Sequence, residues 1–65
     1  MKVILNGEEI ETSCVNALGL LLEKDIQVNK VAVEINEEIV PKSQLGEFTI
    51  TENSKIEIIT FVGGG

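Results

Sequence analysis

The chain has 65 residues, of which eleven are acidic and five basic, so its net charge at pH 7 is −6. A chain this short forms one domain that buries only about 60% of the surface of its unfolded form, which leaves no room for a deep catalytic pocket. Nucleic acid and anionic membranes are poor partners for such a charge. A basic surface on another protein is a suitable partner, although the charge also fits a role in solubility alone.

Residue types that usually carry catalysis and metal binding are scarce. The chain has no His, Trp or Tyr, and His most often moves protons near pH 7. The one cysteine, Cys14, cannot form an intrachain disulfide, which fits a reducing compartment. The sequence has neither a signal-like start nor an apolar run approaching about 18 residues. We therefore expect a cytoplasmic protein that is not an enzyme.

The first elements in chain order are two strands joined by a tight turn. Residues 2–6 have a strand pattern, and a second short strand follows at residues 9–11. Asn6-Gly7 between them favours a two-residue hairpin, because both residues tolerate positive φ.

A helix is predicted next, over residues 15–24. Thr12 and Ser13 are the candidate N-caps. The apolar residues that fall on one stripe at spacings of three and four are Val15, Leu18, Leu21 and Leu22. That stripe would face the sheet.

The second half of the chain is predicted to be mainly strands. Residues 31–35, 48–50 and 55–61 have strand patterns, and residues 38–40 pair briefly before Pro41. Residues 42–46 form a turn or a single helical turn. At Asn36-Glu37 a glutamate at positive φ would cost about 1 kcal/mol, so we expect that turn to adopt another type.

The element order β-β-α-β-β-β predicts an α+β fold. A lone helix packs across one face of a mixed five-stranded sheet, and residues 1–65 form a single domain whose residues 62–65 are a flexible tail. If Ile56 and Ile58 face the helix, Ile59 and Phe61 lie on the open face, as does Ile4 on the first strand. These last three residues are predicted to form an apolar patch for partner docking, unless loops cover part of it.

The sequence ends in three glycines directly after the last strand. A carboxylate that must enter another protein's active site needs a thin backbone, which Gly63 and Gly64 provide. The carboxylate of Gly65 is ionised at neutral pH and can attack the α-phosphate of ATP, after which sulfur can displace AMP. Alone, such a tail is more often a disordered end.

The other candidate functional sites, Cys14 and two pairs of glutamates, have weaker support. Cys14 lies near the predicted helix start, where a thiol can be reactive, but a small space-filling role is the more ordinary interpretation. The pairs Glu8-Glu9 and Glu37-Glu38 point in different directions, so neither forms a dyad or a metal site. We predict no catalytic residue and no metal ligand, and the sequence holds none of the common nucleotide-binding or hydrolase motifs.

The whole chain resembles the ThiS-like sulfur carriers of thiamin biosynthesis, a branch of the ubiquitin-like β-grasp superfamily. The resemblance is carried by Asn6-Gly7-Glu8, by residues 31–36 and 39–44, and by residues 56–65 with their glycine ending. The chain departs from the family pattern at Glu37, at Leu45, and in the turn at residues 52–54, which lacks the common glycine. These departures touch turns rather than the tail.

The resemblance implies a function. An E1-like adenylating enzyme (ThiF-like) would use ATP and Mg²⁺ to adenylate Gly65, and sulfur from a donor such as a cysteine desulfurase would convert it to a thiocarboxylate. Thiazole synthase (ThiG-like) would then take the sulfur for the thiazole ring. The carrier itself would bind no cofactor.

Three other functions stay open at this point. The small subunit of molybdopterin synthase shares the fold, the tail and the activation chemistry. A ubiquitin-like modifier would instead join its C-terminus to target lysines. A β-grasp binding domain would make no use of its glycines.

Overall fold

The computed structural model describes residues 1–61, and the predicted tail at residues 62–65 lies outside the described residues. The elements in chain order are β1 (Lys2–Leu5), β2 (Glu8–Glu11), α1 (Ala17–Glu23), β3 (Val31–Ile35), β4 (Glu38–Val40) and β5 (Lys55–Thr60). Single turns of 3₁₀ helix lie at Val28–Lys30 and Lys42–Gln44. The second of these confirms the predicted helical turn.

The five strands form one mixed sheet in the order β2-β1-β5-β3-β4. The last strand therefore lies in the middle, parallel to β1 and antiparallel to β3. One helix accompanies this sheet in the described part of the chain. The arrangement confirms the predicted β-grasp fold.

The core lies between α1 and one face of the sheet. Alternation places Val3, Val33 and Ile56 on that face, each no more than 3% exposed. The other buried residues of the core are Ala17, Leu20, Leu21, Ile35, Val40, Leu45 and Ile50. Ile58 is half-buried against them. The predicted inward and outward positions of β5 are therefore confirmed.

The helix is shorter than predicted and starts later. Its N-cap is Asn16, whose side-chain oxygen accepts the Gly19 N–H at 2.8 Å. Thr12 is not the cap because it lies four residues before Asn16, and its hydroxyl accepts the Cys14 N–H rather than an N–H of α1. The buried helix residues are Ala17, Leu20 and Leu21, so the predicted stripe was right only at Leu21 and, in part, at half-buried Leu18. Val15 and Leu22 are 66% and 65% exposed.

The predicted strand at residues 48–50 was also wrong. Thr49 makes a single antiparallel bridge to Asn16, and the carbonyl of Phe48 accepts the Ala17 N–H at 3.0 Å. Ile50 lies in the core. This segment therefore supports the start of α1 rather than adding a strand.

Both hairpin turns have positive φ at their two central residues. The values are 50° and 83° at Asn6 and Gly7, and 53° and 70° at Asn36 and Glu37. The expected change of turn type at Asn36-Glu37 was wrong. The side chain of Asn36 accepts the Lys55 N–H at 2.9 Å, which holds the turn against β5 and keeps Glu37 in a left-handed conformation that glycine adopts more easily.

Replacing Glu37 by Gly is therefore expected to stabilise the protein by about 0.5–1 kcal/mol, since the strain at φ 70° is relieved. Chemical denaturation measures this change. Glu38→Gly is the matched control, because Glu38 lies in β4 and glycine in a strand costs about 0.5–1 kcal/mol. A loss of stability in Glu37→Gly would show that the turn is not strained.

Candidate docking surface and tail exit

The central strand β5 leads directly to the predicted tail. Phe61 follows the last β5 residue, and its N–H donates to the carbonyl of Lys30 at 2.9 Å. The backbone is thus held in the sheet up to the residue before the tail. Gly65, the predicted sulfur-acceptor terminus, and Gly63 and Gly64, the predicted threading residues, lie outside the described residues and stay predictions.

Two of the three predicted docking residues lie together on the open face. Ile59 and Phe61 are two residues apart and are each 55% exposed. Ile59 is opposite Ala32 of β3. Their position beside the tail exit agrees with the sequence, and their role in docking stays a prediction.

Ile4 does not join them, so the predicted contiguous patch was wrong in this respect. Ile4 is half-buried and lies opposite Lys55 in the β1–β5 register. Ile59 comes four residues later on β5, about 13 Å further along at 3.3 Å per residue. The first and last strands are neighbours, as expected, but β1 ends before it reaches the level of Ile59.

The neighbour that the sequence prediction missed is Ile39. Glu34 is opposite both Ile39 and Glu57, so Ile39 lies on the same face as Ile59, and it is 70% exposed. We call Ala32, Ile39, Ile59 and Phe61 the apolar surface. The signal for Ile39 was present in the sequence, since the buried Val40 next to it forces Ile39 outward.

The apolar surface includes a shallow depression at the edge of β3. Ala32, Ile39 and Phe61 line it from the open face, and Val31, Val33 and Leu45 line it from the core side. Its volume is about 280 Å³. It forms because β4 ends at Val40 and leaves the first residues of β3 without a neighbouring strand. At its border the Lys42 ammonium donates to the Asn29 side chain at 2.8 Å. The depression can accept one apolar side chain.

Cys14 lies on the helix side of the molecule, in a small polar cluster. The Thr12 hydroxyl donates to the Glu23 carboxylate at 2.8 Å, and the Cys14 thiol lies 3.4 Å from the same oxygen. The Thr12 hydroxyl also accepts the Cys14 N–H at 3.0 Å. The hydrogen bond from Thr12, and after it that from Cys14, lowers the pKa of Glu23. These contacts give the thiol a structural role that joins the segment before α1 to the end of α1.

Residues 1–61 contain no group of three acidic or cysteine side chains placed to hold a metal ion. None of the helices among them is long and apolar enough to span a membrane.

The sequence and the fold are both similar to one family of small proteins. The model of the ThiS family matches residues 3–65. The crystal structure of the thiamine biosynthesis protein ThiS from Geobacter metallireducens has a TM-score of 0.86, with 26% identity and all of both chains covered. The NMR structure of a thiamine biosynthesis protein from the same organism has a TM-score of 0.79, and the match covers all of this chain and 88% of that one.

Relatives of two lengths match the sequence. Thiazole synthases from Paramagnetospirillum magneticum and Magnetococcus marinus are 44% and 38% identical over all of this chain. The chain spans about 20% of the length of these two relatives. The protein ycf40 of Porphyra purpurea is 35% identical, and the chain covers 93% of it.

Thr12→Val is expected to raise the pKa of Glu23 toward its ordinary value, because it removes the strongest of the hydrogen bonds that lower it. NMR titration of the Glu23 side chain measures the shift, and Ser13→Ala serves as the neighbouring control. Because the pKa of Glu23 is lower in the folded state, its ionised carboxylate stabilises the protein at pH values above the unfolded pKa of about 4.3. This stabilisation is lost as the pH falls through the folded-state pKa. The difference in Tm between wild type and Thr12→Val should therefore narrow below about pH 4. An unchanged Glu23 pKa in the variant would contradict the assignment.

Proposed function

Because the chain belongs to the ThiS family, we propose that it is a sulfur carrier in thiamin biosynthesis whose Gly65 carboxylate accepts the sulfur. The observation that carries the proposal is that the family match runs from residue 3 to residue 65 and so includes the glycine ending. The carrier is the substrate of its partner enzymes and performs no chemistry itself.

The proposed reaction has two steps. A carboxylate oxygen of Gly65 attacks the α-phosphorus of ATP on an E1-like adenylating enzyme, and pyrophosphate leaves. A donor such as a cysteine desulfurase holds the sulfur as a persulfide, and a reducing thiol releases it as hydrosulfide while the two donor-side sulfurs join as a disulfide. The hydrosulfide then attacks the acyl carbon and displaces AMP. The product is a thiocarboxylate. ATP and Mg²⁺ belong to the activating enzyme, and the carrier binds no cofactor of its own.

The geometry at the end of β5 supports this role. Phe61 is fixed by its hydrogen bond to Lys30, so residues 62–65 start from a defined point at the border of the apolar surface. An extended residue spans about 3.3–3.6 Å. Four residues can therefore span at most roughly 14 Å, and three of them have no side chain.

Thiazole synthase is the proposed recipient of the sulfur. Two proteins of that name contain a segment like this chain over a fifth of their length. A carrier-like segment within the recipient's own polypeptide supports a direct encounter between the two. We propose that both the adenylating enzyme and thiazole synthase dock on the apolar surface, from which the tail reaches their active sites.

Incubation with the adenylating enzyme from the same genome, ATP, Mg²⁺ and a sulfur donor is expected to add to the chain the mass difference between one sulfur and one oxygen atom. Intact mass spectrometry measures it. Deletion of Gly65 should abolish loading without changing Tm, because β5 ends at Thr60 and the core residues of the described chain all precede it. Glu38→Gln, far from the tail in sequence, is the loading control. Loading of the deletion variant would contradict the role of Gly65, and conjugates with other proteins would instead indicate a modifier.

Phe61→Asp is expected to weaken binding to the adenylating enzyme by at least about 1–2 kcal/mol if Phe61 anchors the interface. Isothermal titration calorimetry measures the affinity. Leu22→Asp is the matched control, since it introduces the same charge at an apolar residue on the helix that is 65% exposed, against 55% for Phe61. Both variants should fold. Equal affinities for the two variants would show that the apolar surface is not the docking site.

A further inference from the structure

Two glutamates face each other in the middle of the open sheet face. Glu34 of β3 and Glu57 of β5 are directly opposite in the antiparallel register. Like charges at such positions destabilise a sheet. Lys55 lies on the same face two residues before Glu57, yet the ion pair found among residues 1–61 joins Lys2 to Glu9 instead. The fold therefore carries a repulsive pair that no cation of the described residues neutralises within 4 Å.

The repulsive pair borders the apolar surface. Glu34 is opposite Ile39, and Glu57 precedes Ile59 by two residues on the same face. Exposed isoleucines and an unneutralised carboxylate pair thus form one continuous area beside the depression. The cation at the other border, Lys42, is already bonded to Asn29.

We propose that the open face binds a protein partner that inserts one apolar side chain into the depression and places an Arg or Lys between Glu34 and Glu57. This inference rests on the proposed function, since the partner is the enzyme that receives the tail. Arginine suits the pair best because its planar guanidinium presents five N–H donors and can bond two carboxylates at once. The net charge of −6 favours encounter with a basic surface.

A second copy of the chain is the less suitable occupant. Face-to-face pairing would bring two Glu34–Glu57 pairs together and two net charges of −6. A partner cation, by contrast, converts a cost to the isolated fold into binding energy. The proposal therefore predicts opposite signs for the effects of charge removal on folding stability and on binding affinity. Replacing a glutamate of the pair by a neutral residue should stabilise the free carrier and weaken its complex. Substitution of a residue with a purely structural role would not change stability and affinity in opposite directions.

The first arm of the test measures the free carrier. Glu34→Gln and Glu57→Gln are each expected to raise Tm by about 1–5 °C at low salt, from the usual size of a cross-strand charge effect in a small domain. The double variant should be no more stable than either single variant, because removal of one charge already ends the repulsion. Glu38→Gln controls for net charge, since Glu38 lies opposite Ile35 and on the other face. Additive effects, or a rise no larger than that of Glu38→Gln, would overturn the proposal.

The second arm measures binding to the adenylating enzyme by calorimetry. The double variant is expected to bind about 5–10-fold more weakly than wild type at low salt, with a smaller difference at high salt. Unchanged affinity together with normal sulfur loading would overturn this inference alone. Tight binding without loading would overturn the proposed function alone, and no binding by wild type would overturn both. Self-association of the wild type through this face, in sedimentation experiments, would make a second copy the occupant and contradict the proposal.

Discussion

The register of β5 is the constraint on which the rest of the structure depends. Two asparagines set it from opposite sides. Asn6 donates its N–H to the Ile56 carbonyl and accepts the Ile58 N–H through its side chain, both at 2.8 Å. Asn36 does the same to both backbone groups of Lys55, at 2.7 and 2.9 Å. The two hairpin turns therefore also clamp the central strand, and a slip of one residue would exchange its buried and exposed faces.

The register fixed by the two asparagines decides which residues of β5 lie in the core and which lie on the open face. With Ile56 buried on one side, Glu57 and Ile59 must face the solvent on the other. The same strand then continues through Phe61 toward the glycines. An exposed apolar surface and a pair of like charges both oppose the stability of a domain of 65 residues. Proteins depart from such local rules mainly at functional sites, and here both departures lie beside the tail exit.

The sequence was sufficient where local pattern decides the structure. Alternation along the last strand identified Ile59 and Phe61 as exposed, and Asn-Gly identified the first turn. It was insufficient where long-range register decides. No local pattern places Ile4 opposite Lys55 rather than Ile59, or Ile39 opposite Glu34. The helix start was missed because Thr12, Ser13 and Asn16 are all residue types that cap helices, and only the fold shows that Asn16 accepts the Gly19 N–H while Thr12 accepts that of Cys14.

The central claim is that sulfur is carried on the terminal carboxylate of Gly65 and not on the one thiol of the chain. Fragmentation of the sulfur-loaded protein in a mass spectrometer locates the added atom most directly. We expect the fragment ending in Gly65 to carry sulfur in place of one oxygen, while the fragment containing Cys14 keeps its original mass. Sulfur added to the Cys14 fragment without loss of oxygen, as in a persulfide, would contradict it.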